Sequence, residues 1–346
     1  MGKLTEAMIV RKMGLFSSDR DKIKVSVVVP IYNVQKFLPE CLDSLKAQRL
    51  KGMEFICVND GSTDSSLEIL KSYAAADPRF VIIDKPNEGY GATMNRGFAA
   101  AKGAYIGIVE SDDFASPDMF KVLYKTAKKY DCDLVKSNYF EFSDEGDMKT
   151  DFFGNFGFKT PINPSQHTNV LCTVPCIWTA LYKREMLERN EIKFNETPGA
   201  SYQDTSFVQQ AYIASKNVVF LSDAFLHYRV DNIASSVKSN DKVFEICGEY
   251  ALTQSFINKD PDKRAVFIPA LNAQKMYGYA WNFTRLNGDK RLAFAEEWMK
   301  EMREAHKAGA IEFDYLADNM VEAFEDLINC ESAKHFCDKH AEGFEP

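Results

Sequence analysis

The first strong segment of the chain is Lys24-Val-Ser-Val-Val-Val-Pro-Ile-Tyr-Asn33, an apolar, β-branched run that suits a strand buried in a parallel sheet. Phe37, Leu38, Cys41, Leu42 and Leu45 follow at helical spacing. The pattern then repeats. Met53 to Val58 reads as a strand, with a helix from near Ser65; Phe80 to Ile83 reads as a strand, with an Ala-rich helix from Gly91 to Ala101. Ala104 to Val109 is a fourth strand, a helix follows Pro117, and Asp133 to Ser137 is a fifth strand. Strands alternating with helices at this spacing predict βαβ units and a mainly parallel, Rossmann-like sheet flanked by helices. From Phe140 to Pro175 the alternation fails, which predicts an irregular insertion or hairpin region over the sheet. Helical character is expected again over Cys176 to Phe194 and over Tyr202 to Ala214. Beyond Lys238 the pattern is helical to the end, with Val243, Ile246, Cys247 and Tyr250 on one face and Phe294, Trp298 and Met302 on another. Three segments are therefore expected: a leader over 1–22, a sheet-based domain over 23–238, and a helical region over 239–346.

Composition narrows the function. The 346 residues carry 42 Lys and Arg against 50 Asp and Glu, a formal net charge of -8. Without a basic block the chain is a poor nucleic-acid binder, because phosphate neutralisation requires clustered cations. A phosphate-bearing ligand would need a metal or backbone amides instead. Eight scattered cysteines with no C-x-x-C pair read as reduced thiols of an intracellular protein. His167, Cys172 and Cys176 lack a fourth ligand and a standard zinc spacing. No apolar run approaches the length of a membrane span, and Ala7 to Phe16 reads as a frayed or tag-like leader rather than as a short amphipathic helix on a membrane surface.

Polar clusters end three of the strands: Tyr32-Asn33, Asp60-Gly-Ser-Thr-Asp64 and Glu110-Ser-Asp-Asp113. In open parallel sheets, ligands bind beyond the carboxyl ends of the strands, so all three are expected on one edge. Each has a structural explanation alone, since Asp60 and Asp64 suit turn and helix caps. Together they crowd carboxylates into a cleft, and a divalent cation with oxygen ligands relieves that repulsion. No G-x-G-x-x-G follows the first strand and no Walker lysine motif is present, which argues against a dinucleotide-binding dehydrogenase.

The segments Val27-Val-Val-Pro-Ile-Tyr-Asn33, Val58-Asn-Asp-Gly-Ser-Thr-Asp64, Asn87-Glu-Gly-Tyr-Gly-Ala-Thr-Met-Asn95 and Glu110-Ser-Asp-Asp113 together resemble the family 2 glycosyltransferases. The resemblance resumes at Ile177-Trp-Thr-Ala-Leu-Tyr-Lys183, Phe194-Asn-Glu196, Tyr202-Gln-Asp204 and His227-Tyr-Arg-Val-Asp231; the chain after residue 240 bears no family signature. The resemblance implies a GT-A α/β fold and an inverting, nucleotide-sugar-dependent enzyme. It implies that Pro30, Tyr32, Asn33 and Asp60 border the nucleobase, commonly uracil. It puts Gly89 and Asn95 near the ribose or diphosphate, with Glu110, Ser111 and Asp112 also on the donor side. Asp112 and Asp113, with His227, match positions expected to hold Mg²⁺ or Mn²⁺, and Arg229 is expected to add a cationic contact. Glu110 departs from the more usual Asp, and Gln203 from the usual Glu, leaving Asp204 as the matching catalytic base.

The implied reaction is direct displacement at the anomeric carbon of a nucleotide-diphosphate sugar, with a saccharide or lipid-linked glycan as acceptor. Trp178, and with it Tyr182 and Gln203, are expected on the acceptor side. The resemblance implies surface polysaccharide or glycoconjugate assembly in the cytoplasm, at the inner membrane face for a lipid-linked acceptor. The apolar stripes of the helical region leave two roles open, packing on the catalytic domain or forming a homodimer. Glu110 and Gln203 also leave open a catalytically silent relative that binds nucleotide or carbohydrate, or acts as a scaffold.

Overall fold

The computed structural model describes residues 23–232 and 242–344, so the expected leader and the expected boundary at residue 238 lie outside the described residues. The first half of the fold is a run of strand–helix units. Strands β1 (Val25–Ile31), β2 (Met53–Asp60), β3 (Phe80–Lys85) and β4 (Tyr105–Ile108) are each followed by chain that returns to the same sheet. Helices α1 (Leu38–Lys46), α2 (Ser66–Ala76) and α3 (Tyr90–Ala100) connect them. Every residue of β1 and β2 is buried, which is why these segments read as unbroken apolar runs rather than alternating ones. Pro30 is tolerated inside β1 because the ladder to β4 stops at Val28, before a second neighbour would need its missing N–H.

The second half is less regular. The short strand β5 (Phe114–Ala115) and helix α4 (Met119–Tyr130) lead into β6 (Leu134–Ser143), which folds back as a hairpin with β7 (Gly146–Lys149). The hairpin and the short strand β8 (Pro161–Ile162) occupy the stretch expected to be irregular. Next come β9 (Ala180–Lys183), the short helix α5 (Arg184–Arg189), helix α6 (Gln203–Ala214) and the long strand β10 (Val218–Arg229). The main sheet runs β3-β2-β1-β4-β9-β6-β10-β5. Its first four strands are mutually parallel, whereas β9 is antiparallel to both neighbours, β4 and β6.

Two sequence expectations fail here. Cys176 to Phe194 is not mainly helical: Ala180–Lys183 fills the centre of the sheet as a strand, and only Arg184–Arg189 is helix. A four-residue buried strand is too short for its period to show. Strand Val218–Arg229 was not expected, although its buried Val-Val-Phe-Leu start is the same kind of signal as β1.

The remaining helices are α7 (Glu245–Asn258), α8 (Pro261–Arg285), α9 (Gly288–Lys307), α10 (Asp318–Asn329) and α11 (Ala333–Lys339). Phe294, Trp298 and Met302 are buried, as their spacing predicts. These helices do not stand apart from the sheet: one connected apolar core runs from Val25 through Tyr250 and Trp298 to Phe336. Packing against the sheet region is therefore one role they have in this chain.

A polar clasp joins the two parts. Glu249 of α7 is buried; its carboxylate accepts hydrogen bonds from Ser206 Oγ of α6 and, at 2.9 Å, from Asn195 Nδ2. Close approach matters on the other side of that loop, where a Cβ on Gly91 would fall 1.8 Å from the Asn195 carbonyl oxygen. Burial pushes the Glu249 carboxyl up to about 7, with Asp204 adding repulsion. A carboxyl raised in the folded state binds its proton more tightly there than in the unfolded chain. Its contribution is fully present below the unfolded value near ~4.3 and is lost as pH rises through about 7. Stability measured by urea unfolding is expected to fall between pH 5 and pH 8, with Glu249 contributing on the order of 2 kcal/mol of that fall, and Glu249→Gln to lessen the slope by that amount. Equal slopes in both proteins would remove Glu249 as its source.

Candidate active site

The parallel half-sheet brings its strand ends to one edge, where a cleft of about 590 Å³ opens. That volume suits a ligand the size of a nucleotide sugar. Pro30, Tyr32 and Asn33 form one wall. Asn33 adopts a left-handed backbone, φ 49°, and its side-chain oxygen accepts the Thr63 N–H at 2.8 Å while its own N–H donates to Ser62 Oγ. The loops after β1 and β2 are thereby tied together. Asp64 serves as a cap, accepting from Ser66 N and Gln35 N. Tyr32 is 53% exposed and offers its ring to the cleft.

Asp60 ends β2 and is almost fully buried. Its carboxylate is held by the Lys85 ammonium and by the backbone N–H groups of Glu88 at 2.8 Å and Gly89 at 3.1 Å. Gly89 has φ 91°, and a Cβ there would meet the Gly199 N at 3.0 Å. A side chain at 89 would thus both strain the backbone and close the loop against the cleft. Asn95 is not on this wall: its amide bonds the Phe194 carbonyl and N–H and the Glu196 carboxylate, all at 2.9 Å. It braces the 194–196 loop, a correction to its expected place beside the donor.

The acidic segment after β4 divides by direction. Glu110, Ser111 and Asp112 line the cleft. Burial raises the Glu110 carboxyl to about 8, the Tyr90 hydroxyl at 2.6 Å opposes this, and Asp112 and Asp204 add repulsion. Asp112 accepts the Asn232 amide at 2.8 Å. Asp113 does not face the cleft; it turns into the protein, where one oxygen accepts Arg229 N–H at 2.9 Å and the other is buried without a hydrogen-bond partner. Desolvation drives its carboxyl well above the usual range. The expectation that Asp113 holds a metal is thus corrected, since adjacent residues on an extended turn present opposite faces.

His227 is displaced too. Its ring is stacked between Phe114 and Phe140, at centroid distances of 4.3 and 4.9 Å, with Nδ1 2.9 Å from Asp147 and Nε2 3.1 Å from Ser116 Oγ. Both nitrogens are engaged and the ring lies off the cleft, so it is not placed as a metal ligand. Arg229, expected as a cationic contact, is likewise off the cleft. It lies over the rings of Phe37 and Phe142 at 4.8 Å each, and its Nε donates to the Asp112 carbonyl. The cleft-facing member of that motif is Tyr228.

Opposite the acidic segment, Asp204 sits in the first turn of α6 and lines the cleft. Burial raises its carboxyl to about 6; Thr205 N–H at 2.8 Å and the buried Lys136 ammonium favour the ionised form. Gln203 also lines the cleft, but its amide holds the 197–201 loop by bonding Ser201 N–H, Thr197 Oγ1 and the Gly199 carbonyl. Trp178 lines the cleft with its ring stacked 5.1 Å from Tyr228. Tyr182 does not; it is fully buried.

The sequence reading missed the contribution of the helical region. Tyr202, left-handed at φ 59°, precedes α6 and reaches to α8. Its hydroxyl donates to Asn282 Oδ1 at 2.6 Å and accepts from Arg285 Nη1 at 2.9 Å, and Trp281 packs edge-on to its ring at 5.7 Å. Trp281 and Arg285 line the cleft. Trp281-Asn-Phe-Thr-Arg285 shows one usable signal, a Trp and an Arg one helical turn apart on an otherwise amphipathic helix. Tyr90 was legible only as a residue between two glycines.

Fold and cleft define the class: a GT-A α/β fold whose parallel half-sheet ends in an acid-lined, nucleotide-sized cleft. The family model for glycosyl transferase family 2 matches residues 26–190. The chain is 32% identical over 222 residues to glycosyltransferase GlyG of Streptococcus pneumoniae, a match covering 59% of this chain and 70% of GlyG. It belongs to glycosyl transferase family 2. It is 33% identical over 216 residues to GlyA of the same organism, covering 60% of this chain but only 30% of that relative. In structure it is similar to residues 1–349 of TarS from S. aureus in complex with UDP-GlcNAc, with a TM-score of 0.71, 18% identity, and 93% of each chain covered.

Tyr202→Phe removes the hydroxyl shared by Asn282 and Arg285 while keeping the ring against Trp281. Urea unfolding is expected to show a loss of about 1–3 kcal/mol, because the buried Asn282 Oδ1 loses its donor. Tyr32→Phe, at an exposed hydroxyl, is expected to stay within about 0.5 kcal/mol of the parent. Equal costs would contradict the clasp.

Proposed function

We propose that the protein is an inverting glycosyltransferase that moves a sugar from a nucleotide-diphosphate sugar, a UDP-sugar on this reading, to a saccharide or lipid-linked acceptor. The observation that carries this reading is Asp204, a cleft-lining carboxyl with a value of about 6, facing a cleft whose other walls suit a nucleotide and its diphosphate. Near neutral pH such a group is ionised yet basic enough to accept a proton. In the reaction the acceptor hydroxyl oxygen bonds to the anomeric carbon as the bond from that carbon to the diphosphate oxygen breaks. The hydroxyl proton goes to Asp204, and the nucleoside diphosphate leaves with the electron pair. One displacement inverts the anomeric carbon and requires no covalent nucleophile.

Pro30, Tyr32, Asn33 and Asp60 are assigned to the nucleobase side, and Gly89, Glu110, Ser111 and Asp112 to the ribose and diphosphate. Trp178 is assigned to the acceptor side. A hard divalent cation, Mg²⁺ or Mn²⁺, is part of the proposal: Asp112 would offer it a cleft-facing carboxylate oxygen, with Glu110 beside it. No group of three or more His, Cys, Asp or Glu that could hold a metal occurs among the described residues. Such an ion would keep waters and take much of its shell from substrate phosphates. When bound, such an ion supplies Lewis-acid stabilisation of the leaving diphosphate.

No helix among the described residues is long and apolar enough to cross a membrane. A cytoplasmic setting, with peripheral contact at the inner membrane face for a lipid-linked acceptor, is part of the proposal. So is surface glycan assembly.

Thermal unfolding with UDP tests the donor assignment. At ~100 times its dissociation constant, UDP is expected to add about 2.7 kcal/mol of stability. The shift is expected to require Mn²⁺ or Mg²⁺ and to shrink in Asp112→Asn. Asp204→Asn is expected to keep that shift and to lose about 10²–10⁴-fold in transfer rate from a UDP-sugar. Parent-like rates in Asp204→Asn would exclude it as the base, and no shift with any nucleotide would contradict the assignment of the cleft.

A further inference from the structure

The aromatic wall of the cleft continues past its rim. Trp178 and Tyr228 line the cleft with their rings stacked 5.1 Å apart. Tyr139 of β6 meets the Trp178 ring edge-on at 4.6 Å and the Tyr228 ring at 6.1 Å. Phe152, just past β7, stacks on Tyr139 at 5.6 Å with the ring planes 21° apart. Phe152 is not among the residues that line the cleft, and it is 39% exposed. Two ring contacts thus carry aromatic surface from the cleft wall to the outside of the protein.

Strand register puts these residues on one face. Tyr228 of β10 is paired with Glu141 of β6, and Glu141 with Met148 of β7. Cross-strand partners share a face, and so do residues two apart along a strand. Tyr139, Glu141, Met148 and Tyr228 therefore share the face that carries the cleft wall. Phe140, His227 and Lys149, paired with one another in the same register, lie on the other.

An exposed phenylalanine is ordinary by itself. Phe152 differs in being held in place. Its N–H donates to Oδ1 of the buried Asn138 at 3.0 Å, and the Thr150 N–H donates to the Tyr139 carbonyl at 2.9 Å. The next residue, Phe153, is fully buried and stacked on Phe220 at 4.9 Å. The chain thus keeps one ring inside and presents the other at a fixed position. A fixed ring offers apolar area to the carbon face of a sugar at little entropic cost. Met148, 63% exposed, adds an adaptable apolar side chain on the same face.

Charge on this hairpin selects among glycans. Residues 141–151 carry Glu141, Asp144, Glu145, Asp147 and Asp151 against one basic residue, Lys149, which lies on the face away from Tyr139. Asp147 is taken up by His227 and Asp151 by Asn138. An anionic chain laid along this surface meets like charge, whereas the hydroxyls of a neutral sugar meet acceptors.

We propose that Phe152, with Glu141 and Met148, forms an outer acceptor subsite, and that the acceptor is an uncharged glycan of at least two sugar units. The unit that receives the sugar lies at Trp178, and an earlier unit lies on Phe152 with a hydroxyl donated to Glu141. This names the acceptor class of the sugar-transfer reading and rests on it.

The test is a glycan array probed with the full chain, followed by calorimetric titration, each with and without saturating UDP and Mn²⁺. The probes are glucose, galactose and N-acetylglucosamine oligomers of one to four units in α and β linkage, with hyaluronan and glycerol-phosphate oligomers as the anionic set. At least one uncharged oligomer is expected to bind saturably, about threefold or more tighter than its monosaccharide and than any anionic probe. Phe152→Ala is expected to lose about three- to tenfold of the oligomer's affinity while monosaccharide and UDP affinities stay within about twofold, and Phe152→Tyr to retain most of it. Glu141→Gln is expected to narrow the gap between uncharged and anionic probes. The subsite is overturned by an absence of saturable binding to every probe, by anionic probes binding as tightly as uncharged ones, or by Phe152→Ala costing monosaccharide and oligomer alike. An unchanged gap in Glu141→Gln would contradict the selection by charge. Failure of the parent protein to bind UDP would instead contradict the sugar-transfer reading, and the array without UDP would still decide whether Phe152 binds a glycan.

Discussion

The cleft depends on one electrostatic constraint. Glu110 and Asp204 share the cleft with Asp112; burial favours the protonated acid of Glu110 and of Asp204, and Asp112 and Asp204 add repulsion at Glu110. Water alone would leave these groups ionised and indifferent to one another; desolvation separates them. Glu110, hydrogen-bonded to Tyr90, rises to about 8, while Asp204 stops at about 6 because Thr205 N–H and the Lys136 ammonium favour its charge. Lys136 is itself buried, resting over the rings of Phe153 and Tyr212, with Cys176 and Tyr212 favouring its charge. A buried cation is costly. Its retention behind an acid-lined cleft is intelligible as a source of fixed positive potential.

The rest of the architecture holds those groups in place. The parallel strands deliver Asn33, Asp60 and the acidic segment to one edge, but Asp204 lies across the sheet's change of direction, on a helix that follows β9 and α5. What fixes that helix is the C-terminal helical region: Glu249 grips Ser206, while Asn282 and Arg285 grip Tyr202. Tyr202 sits in a left-handed conformation that a bulky residue adopts only when its surroundings enforce it. The helical region is thus part of the candidate site.

Legibility in the sequence followed the length and regularity of the signal. The β1–β4 units and the three polar strand ends were readable because buried strands there are unbroken β-branched runs and the polar residues interrupt them sharply. Strand Ala180–Lys183 was not, since four residues between turns show no period, and a lone His before Tyr-Arg gave no hint that both its nitrogens are bound by Asp147 and Ser116. Asp112 and Asp113 are indistinguishable as letters; the turn alone decides that one faces the cleft and the other faces inward. Trp281 and Arg285 belong to the site through a contact some 80 residues from Tyr202 along the chain, which no local pattern encodes.

Burial in this cleft holds the Asp204 carboxyl up at about 6. A carboxyl ¹³C NMR titration of the ligand-free protein reads this directly, with Asp204→Asn providing the assignment. The resonance lost in the variant is expected to titrate with a midpoint near 6. A midpoint in the ordinary aspartate range near ~4 would contradict it.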